Sequence, residues 1–183
     1  MSYIIERFNK KVHRRQHFEC EEPALTEYLK HQLSQDERRG IARAYVMVDE
    51  ADPQRYIKGF YTVSSLSVSL SSVAFQRYQA QTQVKQCSHI SPRQEVPAVL
   101  IGRLARHIEL KGMGAGERLL TDALLLILDI SQKMAVHFVV VDAKNERVKQ
   151  FYQRFGFMTF EDTQDRMFLP VATLVKAFQR RVK

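Results

Sequence analysis

Three glycines that alternate between a strand and a long helix constrain the fold of this chain more than any other segment. Gly112, Gly114 and Gly116 follow an apolar run and precede a stretch up to Met134 in which apolar residues recur at helical spacing. These residues are Leu119, Leu120, Ala123, Leu124, Ile127 and Leu128. The next run, Val136–Val141, is apolar and β-branched, as in a strand covered on both faces. The sequence therefore predicts a strand–loop–helix–strand unit.

The other segments predict further strands and helices around this unit. Strands are expected at Tyr3–Phe8, Ala44–Val48, Ala98–Ile101 with Leu104–Ala105, Phe157–Phe160 and Met167–Leu169, and one or two more over Ile57–Ser71. A bulge at Gly102 is expected to break the strand that begins at Ala98. Helices are expected from Pro23 to Leu29, over Val148, Phe151, Tyr152 and Phe155 up to Gly156, and after Pro170. Gln76–Pro97 is polar and predicts a helix with a loop. The fold class is α/β, in the mixed α+β sense.

Composition excludes several classes of protein. The longest apolar stretch, Ala123–Ile130, is too short to span a bilayer and contains Asp129. We expect no membrane association, no signal peptide and a cytoplasmic protein with Cys20 and Cys87 reduced. The six histidines lack metal-ligand spacing, so no metal site is expected.

The charge points towards an anionic partner. Lys and Arg number 28 against 20 Asp and Glu, a formal charge of +8, partly clustered in Lys10–Arg15 and Arg180–Lys183. Such clusters suit RNA, DNA or the phosphates of a cofactor. A solvated basic surface without a dedicated partner is the alternative.

The glycine segment is suited to binding a phosphate. Backbone N–H groups can approach an anion closely there, and a helix N-terminus adds about half a positive charge. The nucleoside-triphosphate loop pattern is absent, and the dinucleotide pattern would need its third glycine one residue later. The pattern Gln/Arg-x-x-Gly-x-Gly/Ala fits as Lys111-Gly112-Met113-Gly114-Ala115-Gly116, with lysine first. A turn that only redirects the chain is the alternative.

This pattern resembles motif A of the GNAT superfamily of acetyltransferases, which places coenzyme A across a strand–loop–helix unit. Val141–Arg147, followed by Phe151-Tyr152 and Gly156-Phe157, resembles the second half of the same fold. The resemblance implies one GNAT domain over residues 1–183. Its central sheet would be mixed, mostly antiparallel and splayed at the cofactor site, with flanking helices.

A narrower resemblance covers most of the chain. Its segments are Phe18-Glu19-Cys20 before a Leu-x-x-Tyr-Leu helix, Ala44–Val46, Gly59–Thr62, Val96–Ala105 and Val140–Lys144. Together they are similar to the acetyltransferase toxins of bacterial toxin–antitoxin pairs, the TacT/AtaT-like branch. This implies transfer of acetyl from acetyl-CoA to the α-amino group of aminoacyl-tRNA, and a ribbon-helix-helix antitoxin as partner; a homodimer stays open.

Three positions depart from that family. Cys20-Glu21 stands where Cys-Gly is usual, His107 where Asp is usual, and Lys111 where Gln or Arg is usual. These departures bear on cofactor binding and toxicity rather than on the fold.

The resemblance assigns roles to individual residues. Tyr152 would be the general acid that protonates the leaving thiolate, with a plain core aromatic as the alternative. Leu104, Ala105 and Arg106 would offer backbone groups to the acetyl and pantetheine arm, one N–H polarising the thioester carbonyl. Asn145 would bond the pantetheine arm or cap its helix. Arg103 would line the tRNA or cofactor side, or form a salt bridge.

The reaction needs a neutral amine. An α-amino group, with a pKa of about 7.7–8.0, is roughly a tenth neutral at pH 7 and needs little help from a base. Glu95, Asp142 and Glu146 are the candidate bases. Two other functions stay open: acetylation of a small amine or protein amine without RNA, and a non-catalytic coenzyme A- or RNA-binding module.

Overall fold

The computed structural model describes residues 2–69, 95–160, 163 and 165–179. Its strands are β1 (Tyr3–Arg7), β2 (Arg43–Asp49), β3 (Ile57–Ser69), β4 (Glu95–Arg106), β5 (Phe138–Asp142), β6 (Met158–Thr159) and β7 (Arg166–Pro170). Its α-helices are α1 (Pro23–Glu27), α2 (Leu33–Arg39), α3 (Ala115–Ser131), α4 (Glu146–Gln153) and α5 (Val171–Gln179). A π-helical turn, Tyr28–Gln32, joins α1 to α2, and a 3-10 turn, Ile108–Leu110, precedes α3.

The chain forms two compact units. One contains Met1–Ser64 and Ile101–Leu126, the other Ser65–Leu100 and Ile127–Lys183. Strands β3 and β4 contribute residues to both, so the strand order is β1-β2-β3-β4 in the first and β3-β4-β5-β7-β6 in the second. The pairings of β1 with β2, β2 with β3, β5 with β7, and β6 with β7 are antiparallel. The expected mixed α/β class with a mostly antiparallel sheet is confirmed, whereas the splay and the single domain stay predictions.

The core of the first unit forms where β2 and β3 face the helices. Met47 is fully buried on one face of β2, so the strand is covered on both faces there; on the other face, Ala44, Val46 and Val48 alternate and are buried. They pack in a cluster with Phe8, Phe18, Tyr28, Leu29, Leu33, Ile57, Phe60 and Ala105. Burial of each valine, leucine, isoleucine or phenylalanine side chain in this cluster stabilises the fold by about 1.5–3 kcal/mol.

The helical run between β1 and β2 begins and ends as its sequence dictates. Pro23 occupies the first turn, where its missing N–H costs nothing. Gly40, with φ of +71°, ends α2 in the left-handed conformation that glycine adopts without strain. The expected helix is confirmed and continues ten residues past Leu29, to Arg39.

The core of the second unit surrounds β5. Residues Phe138–Val141 are fully buried on both strand faces, which explains their uninterrupted apolar sequence. Phe138 and Val140 pack with Val68, Val96, Ala98, Phe160 and Phe168. The expected strand is confirmed, although it begins at Phe138 rather than Val136.

Some sequence-based boundaries are wrong. Strand β4 runs unbroken through Gly102, from Glu95 to Arg106, so the expected break is wrong, whereas the bulge itself stays a prediction. The helix and loop expected over Gln76–Pro97 lie outside the described residues up to 94, but 95–97 begin β4, where Val96 is buried. Helix α3 ends at Ser131 rather than Met134, since Gln132 and Lys133 donate to carbonyls three residues back.

Across the described ranges, no helix is long and apolar enough to cross a membrane.

Candidate functional site

The glycine segment is anchored to the first unit immediately before it begins. At the end of β4, the His107 backbone N–H donates to the Lys58 carbonyl at 2.7 Å, and the Ile108 N–H donates to the Glu19 carbonyl at 2.8 Å. The His107 side chain adds a 2.8 Å hydrogen bond between Nε2 and the carbonyl oxygen of His17. These bonds fix the direction in which the chain enters the loop.

The backbone of the loop requires glycine at two positions. Gly112 and Gly114 have φ of +75° and +74°, a region that side chains disfavour. A Cβ at either position would meet no heavy atom of the described chain within 4 Å, so conformation rather than space selects glycine. Gly116 already lies inside α3, and Met113 between the two glycines is 67% exposed.

The N-terminus of α3 supplies hydrogen-bond donors at the end of this loop. The Arg118 N–H donates to the Gly114 carbonyl at 3.0 Å, as the first bond of the helix. The amides of Ala115 and Gly116 precede it, and amides of a first turn have no acceptor within their own helix. The helix dipole adds partial positive charge there.

Two cations flank the loop, and one carboxylate holds both. Arg106 Nη2 lies 2.8 Å from Glu21 Oε2, and Lys111 Nζ lies 2.5 Å from Glu21 Oε1. Motif reasoning places Arg106 and Lys111 at the loop. It marks Glu21 only as a departure from the usual Cys-Gly and does not place it beside the loop, because it lies 85 and 90 residues away in sequence.

Arg103 stacks on an aromatic ring. Its guanidinium carbon lies 3.6 Å from the centre of the Tyr28 ring, a cation–π contact. The Tyr28 hydroxyl donates to Asp36 Oδ2 at 2.9 Å, and burial followed by this bond raises the tyrosine pKa. This contact, on a residue of the π-helical turn, was not among the interactions expected for Arg103.

Tyr152 lies in the second unit, on α4, and is 6% exposed. Its ring packs between Phe151 and Phe157, with centroids at 5.2 and 5.3 Å. Burial, and secondarily the Asp142 carboxylate, raises the pKa of its phenol well above the ordinary value. The surroundings are those of a core aromatic, and they also keep the hydroxyl protonated.

Asn145 caps α4. Its Oδ1 accepts a 3.0 Å hydrogen bond from the Val148 N–H, and its backbone is extended, as at most helix N-caps. One of its two expected roles is therefore present. The bond to the pantetheine arm stays a prediction, since the cap uses only the side-chain oxygen.

Two of the three candidate bases are held by other residues. Arg166 forms a two-bond ion pair with Asp142, at 2.7 and 3.0 Å, and Ser67 Oγ donates to Glu95 Oε2 at 2.6 Å. Glu146 lies exposed in the first turn of α4. Both carboxylate oxygens of Asp142 and one of Glu95 therefore already accept hydrogen bonds from side chains of the protein.

The first unit therefore brings together the residues expected to bind the cofactor apart from Asn145: Leu104, Ala105, Arg106, Lys111, Gly112, Met113, Gly114, Ala115 and Gly116. The second unit holds Asn145 and Tyr152. Left-handed glycines, first-turn amides and two cations form a donor set that fits a diphosphate. Among the described residues, no cluster of three or more His, Cys, Asp or Glu could hold a metal ion.

Comparisons with known proteins agree with this chemistry. The chain matches no family model. It is 27% identical over 179 residues to a probable toxin TacT of Sinorhizobium fredii, covering 93% of this chain and 92% of that protein. It is 26% identical over 140 residues to a tRNA-acetylating toxin of Mycobacterium tuberculosis, covering 76% and 75%.

Solved structures give the same answer. AtaT in complex with acetyl-methionyl-tRNAfMet is 26% identical, with a TM-score of 0.81 over 97% of this chain and 99% of that one. A mutant AtaT bound to acetyl-CoA and to the C-terminus of the antitoxin AtaR is 25% identical, with a TM-score of 0.79 over 96% and 98%. The chain thus shares the fold of the AtaT toxins and is similar along nearly its whole length to TacT/AtaT-like toxins.

Proposed function

We propose that this protein transfers the acetyl group of acetyl-CoA to the α-amino group of aminoacyl-tRNA, and that it acts as a translation-blocking toxin. The observation that carries the proposal is the agreement with AtaT in complex with acetyl-methionyl-tRNAfMet over 97% of the chain. The tRNA-acetylating relative and the diphosphate-compatible loop support it independently.

The cofactor supplies an acetyl thioester, and the first unit binds its phosphates. The first-turn amides of α3 and the left-handed glycine backbone would donate to the diphosphate, while Arg106 and Lys111 would neutralise its charge. Leu104 and Ala105, at the end of β4, offer backbone groups to the arm that carries the thioester. One N–H of this strand end polarises the thioester carbonyl.

Tyr152 donates the proton that the departing thiolate needs. Forming the N–C bond and breaking the C–S bond would release one proton from the amine to water, while Tyr152 would give one to the sulfur and regain it from water. A phenol that burial keeps protonated can make this donation throughout the working pH range. No strong general base is required, because an α-amine is already partly neutral near pH 7.

The test is transfer of radiolabelled acetyl from acetyl-CoA to total charged tRNA, run beside deacylated tRNA. We expect label on charged tRNA alone, and a Tyr152→Phe rate lower by roughly 10²–10⁴-fold with acetyl-CoA binding retained. Tyr56→Phe removes a hydroxyl from a half-buried tyrosine elsewhere and should keep full activity.

Other results would redirect the assignment. Label on small amines or proteins but not on charged tRNA would indicate an RNA-independent acetyltransferase. Acetyl-CoA binding without transfer to any amine would leave a non-catalytic binding module. Full activity of Tyr152→Phe on charged tRNA would remove Tyr152 from catalysis and keep the substrate.

Further parts of the proposal concern assembly. AtaT is seen with its antitoxin AtaR, and we propose a ribbon-helix-helix antitoxin and a homodimer for this chain too. Co-expression with a small protein encoded immediately upstream should restore growth, and light scattering should give twice the chain mass.

We also propose one GNAT domain over residues 1–183, because β3 and β4 run through both units, and a cytoplasmic location, where charged tRNA is used.

A further inference from the structure

Glu21 occupies a position where a negative charge is unexpected. Its carboxylate bridges Arg106 and Lys111, with one oxygen on each cation. These are the two side-chain cations that flank the glycine loop and would neutralise a diphosphate. A carboxylate that accepts from both offers them the same kind of interaction as two phosphate oxygens.

The backbone around Glu21 fixes this arrangement. The Glu19 carbonyl accepts from the Ile108 N–H at 2.8 Å, which ties the segment to the start of the loop. On the following residue, the Cys20 N–H donates to Thr26 Oγ1 at 3.1 Å and so joins the segment to α1. The two residues before Glu21 are therefore hydrogen-bonded, one to the start of the loop and the other to α1, and these bonds hold Glu21 beside the two cations.

We propose that Glu21 is a built-in competitor of the cofactor's diphosphate, which must displace its carboxylate from Arg106 and Lys111 to bind. The proposal rests on the function proposed above and adds the residue that sets cofactor affinity. Glu21 thus weakens the binding of acetyl-CoA. It also prevents Arg106 and Lys111 from binding other phosphate compounds non-specifically.

The exposure of the three side chains makes this displacement feasible. Glu21 is 38% exposed and Lys111 is 56% exposed, whereas Arg106 is 18% exposed. Ion pairs with such access to water are weak, because solvent and salt screen them. A bound diphosphate would gain the first-turn amides of α3 in addition to the cations, an advantage that the Glu21 carboxylate lacks.

The experiment is calorimetric titration of acetyl-CoA into the full chain and into Glu21→Gln, which keeps the shape and removes the charge. We expect Kd to fall by about three- to tenfold, the size typical of a few exposed charge interactions. Glu22→Gln is the matched control: it removes the same charge one residue away, from an exposed N-cap whose side chain makes no capping bond, and should leave Kd unchanged.

Two further measurements locate the effect. Dephospho-CoA lacks the ribose phosphate but keeps the diphosphate. The Glu21→Gln substitution should therefore raise the affinity for dephospho-CoA by the same factor as the affinity for acetyl-CoA. The gain should also shrink as ionic strength rises, since screening weakens the repulsion that the substitution removes.

The outcomes separate this inference from the proposed function. An unchanged or weaker affinity of Glu21→Gln for acetyl-CoA would overturn the competitor role; the weaker case would show that Glu21 holds the cations in place. A gain that disappears with dephospho-CoA would overturn the assignment to the diphosphate. A wild-type chain that binds no acetyl-CoA would instead contradict the proposed function itself.

Discussion

Burial controls the chemistry of the residue on which the proposed reaction depends. Tyr152 packs between aromatic rings, and both desolvation and the nearby Asp142 carboxylate disfavour its phenolate. The pKa of the phenol therefore lies above its ordinary value of about 10. Tyr152 stays a proton donor at every pH at which charged tRNA survives.

The pH dependence of activity follows from this shift. We expect kcat/KM for charged tRNA to rise up to about tenfold per pH unit, as the α-amine loses its proton, and to level off above a pKa of about 8. No fall should follow up to pH 9.5, because the raised pKa keeps Tyr152 protonated there. A descending limb between pH 8 and 9.5 that is absent from the residual activity of Tyr152→Phe would contradict the assignment.

Close approach of α3 to the sheet depends on a glycine in β3. A Cβ on Gly59 would lie 2.8 Å from Leu119 Cδ1 and 3.3 Å from the Ala105 carbonyl oxygen. Leu119 is fully buried, so its side chain has little room to move away. Gly59 thereby sets how near the helix that begins at the loop can pack to strands β3 and β4.

Gly59→Ala should lower the free energy of unfolding by about 1–3 kcal/mol through overpacking. Urea denaturation measures this loss, and Leu119→Val, which removes the clashing Cδ1, should relieve part of it in the double variant. Gly40→Ala is the control: its cost arises from φ of +71° without any contact within 4 Å, so its effect should add to that of Leu119→Val. Strict additivity for Gly59→Ala as well would contradict the packing argument.

Elements with a strong local pattern could be predicted from the sequence, and contacts between distant segments could not. The periodicity of α3 and the apolar run of β5 predict the type of each element and place its ends to within a few residues. The motif predicts the glycine loop, and the structure adds the left-handed backbone at Gly112 and Gly114. The contacts of Glu21 with the loop and of Gly59 with α3 could not be predicted, because each joins residues far apart along the chain; Glu21 stands out in the sequence only as a departure from the usual Cys-Gly.

Part of the chain's excess positive charge lies along a groove on the first unit. A groove of about 650 Å³ is lined by Arg7, Phe8, Asn9, Lys10, Ser34, Gln35, Glu37 and Arg38. Lys10 comes from the basic segment after β1, and Arg38 from the last turn of α2, and both are exposed. We expect phosphates of the tRNA to lie along this groove.

Charge reversal tests that expectation. Lys10→Glu and Arg38→Glu should each weaken charged-tRNA binding and reduce the slope of log Kd against log salt by about one. Acetyl-CoA binding should stay unchanged. Lys176→Glu, on an exposed position of α5, changes the net charge equally and should not alter the slope. Equal effects of all three substitutions would show that only the overall charge matters.

The discontinuity of both compact units has a practical consequence. Each unit consists of two segments of the chain, and the segments of the two units alternate along the sequence. No single cut can therefore release either unit whole, and each fragment would carry pieces of two cores. Fragments divided between residues 64 and 101 would have to reassemble before either unit could be complete. Such a division would make this protein a split reporter whose signal depends on association of its halves.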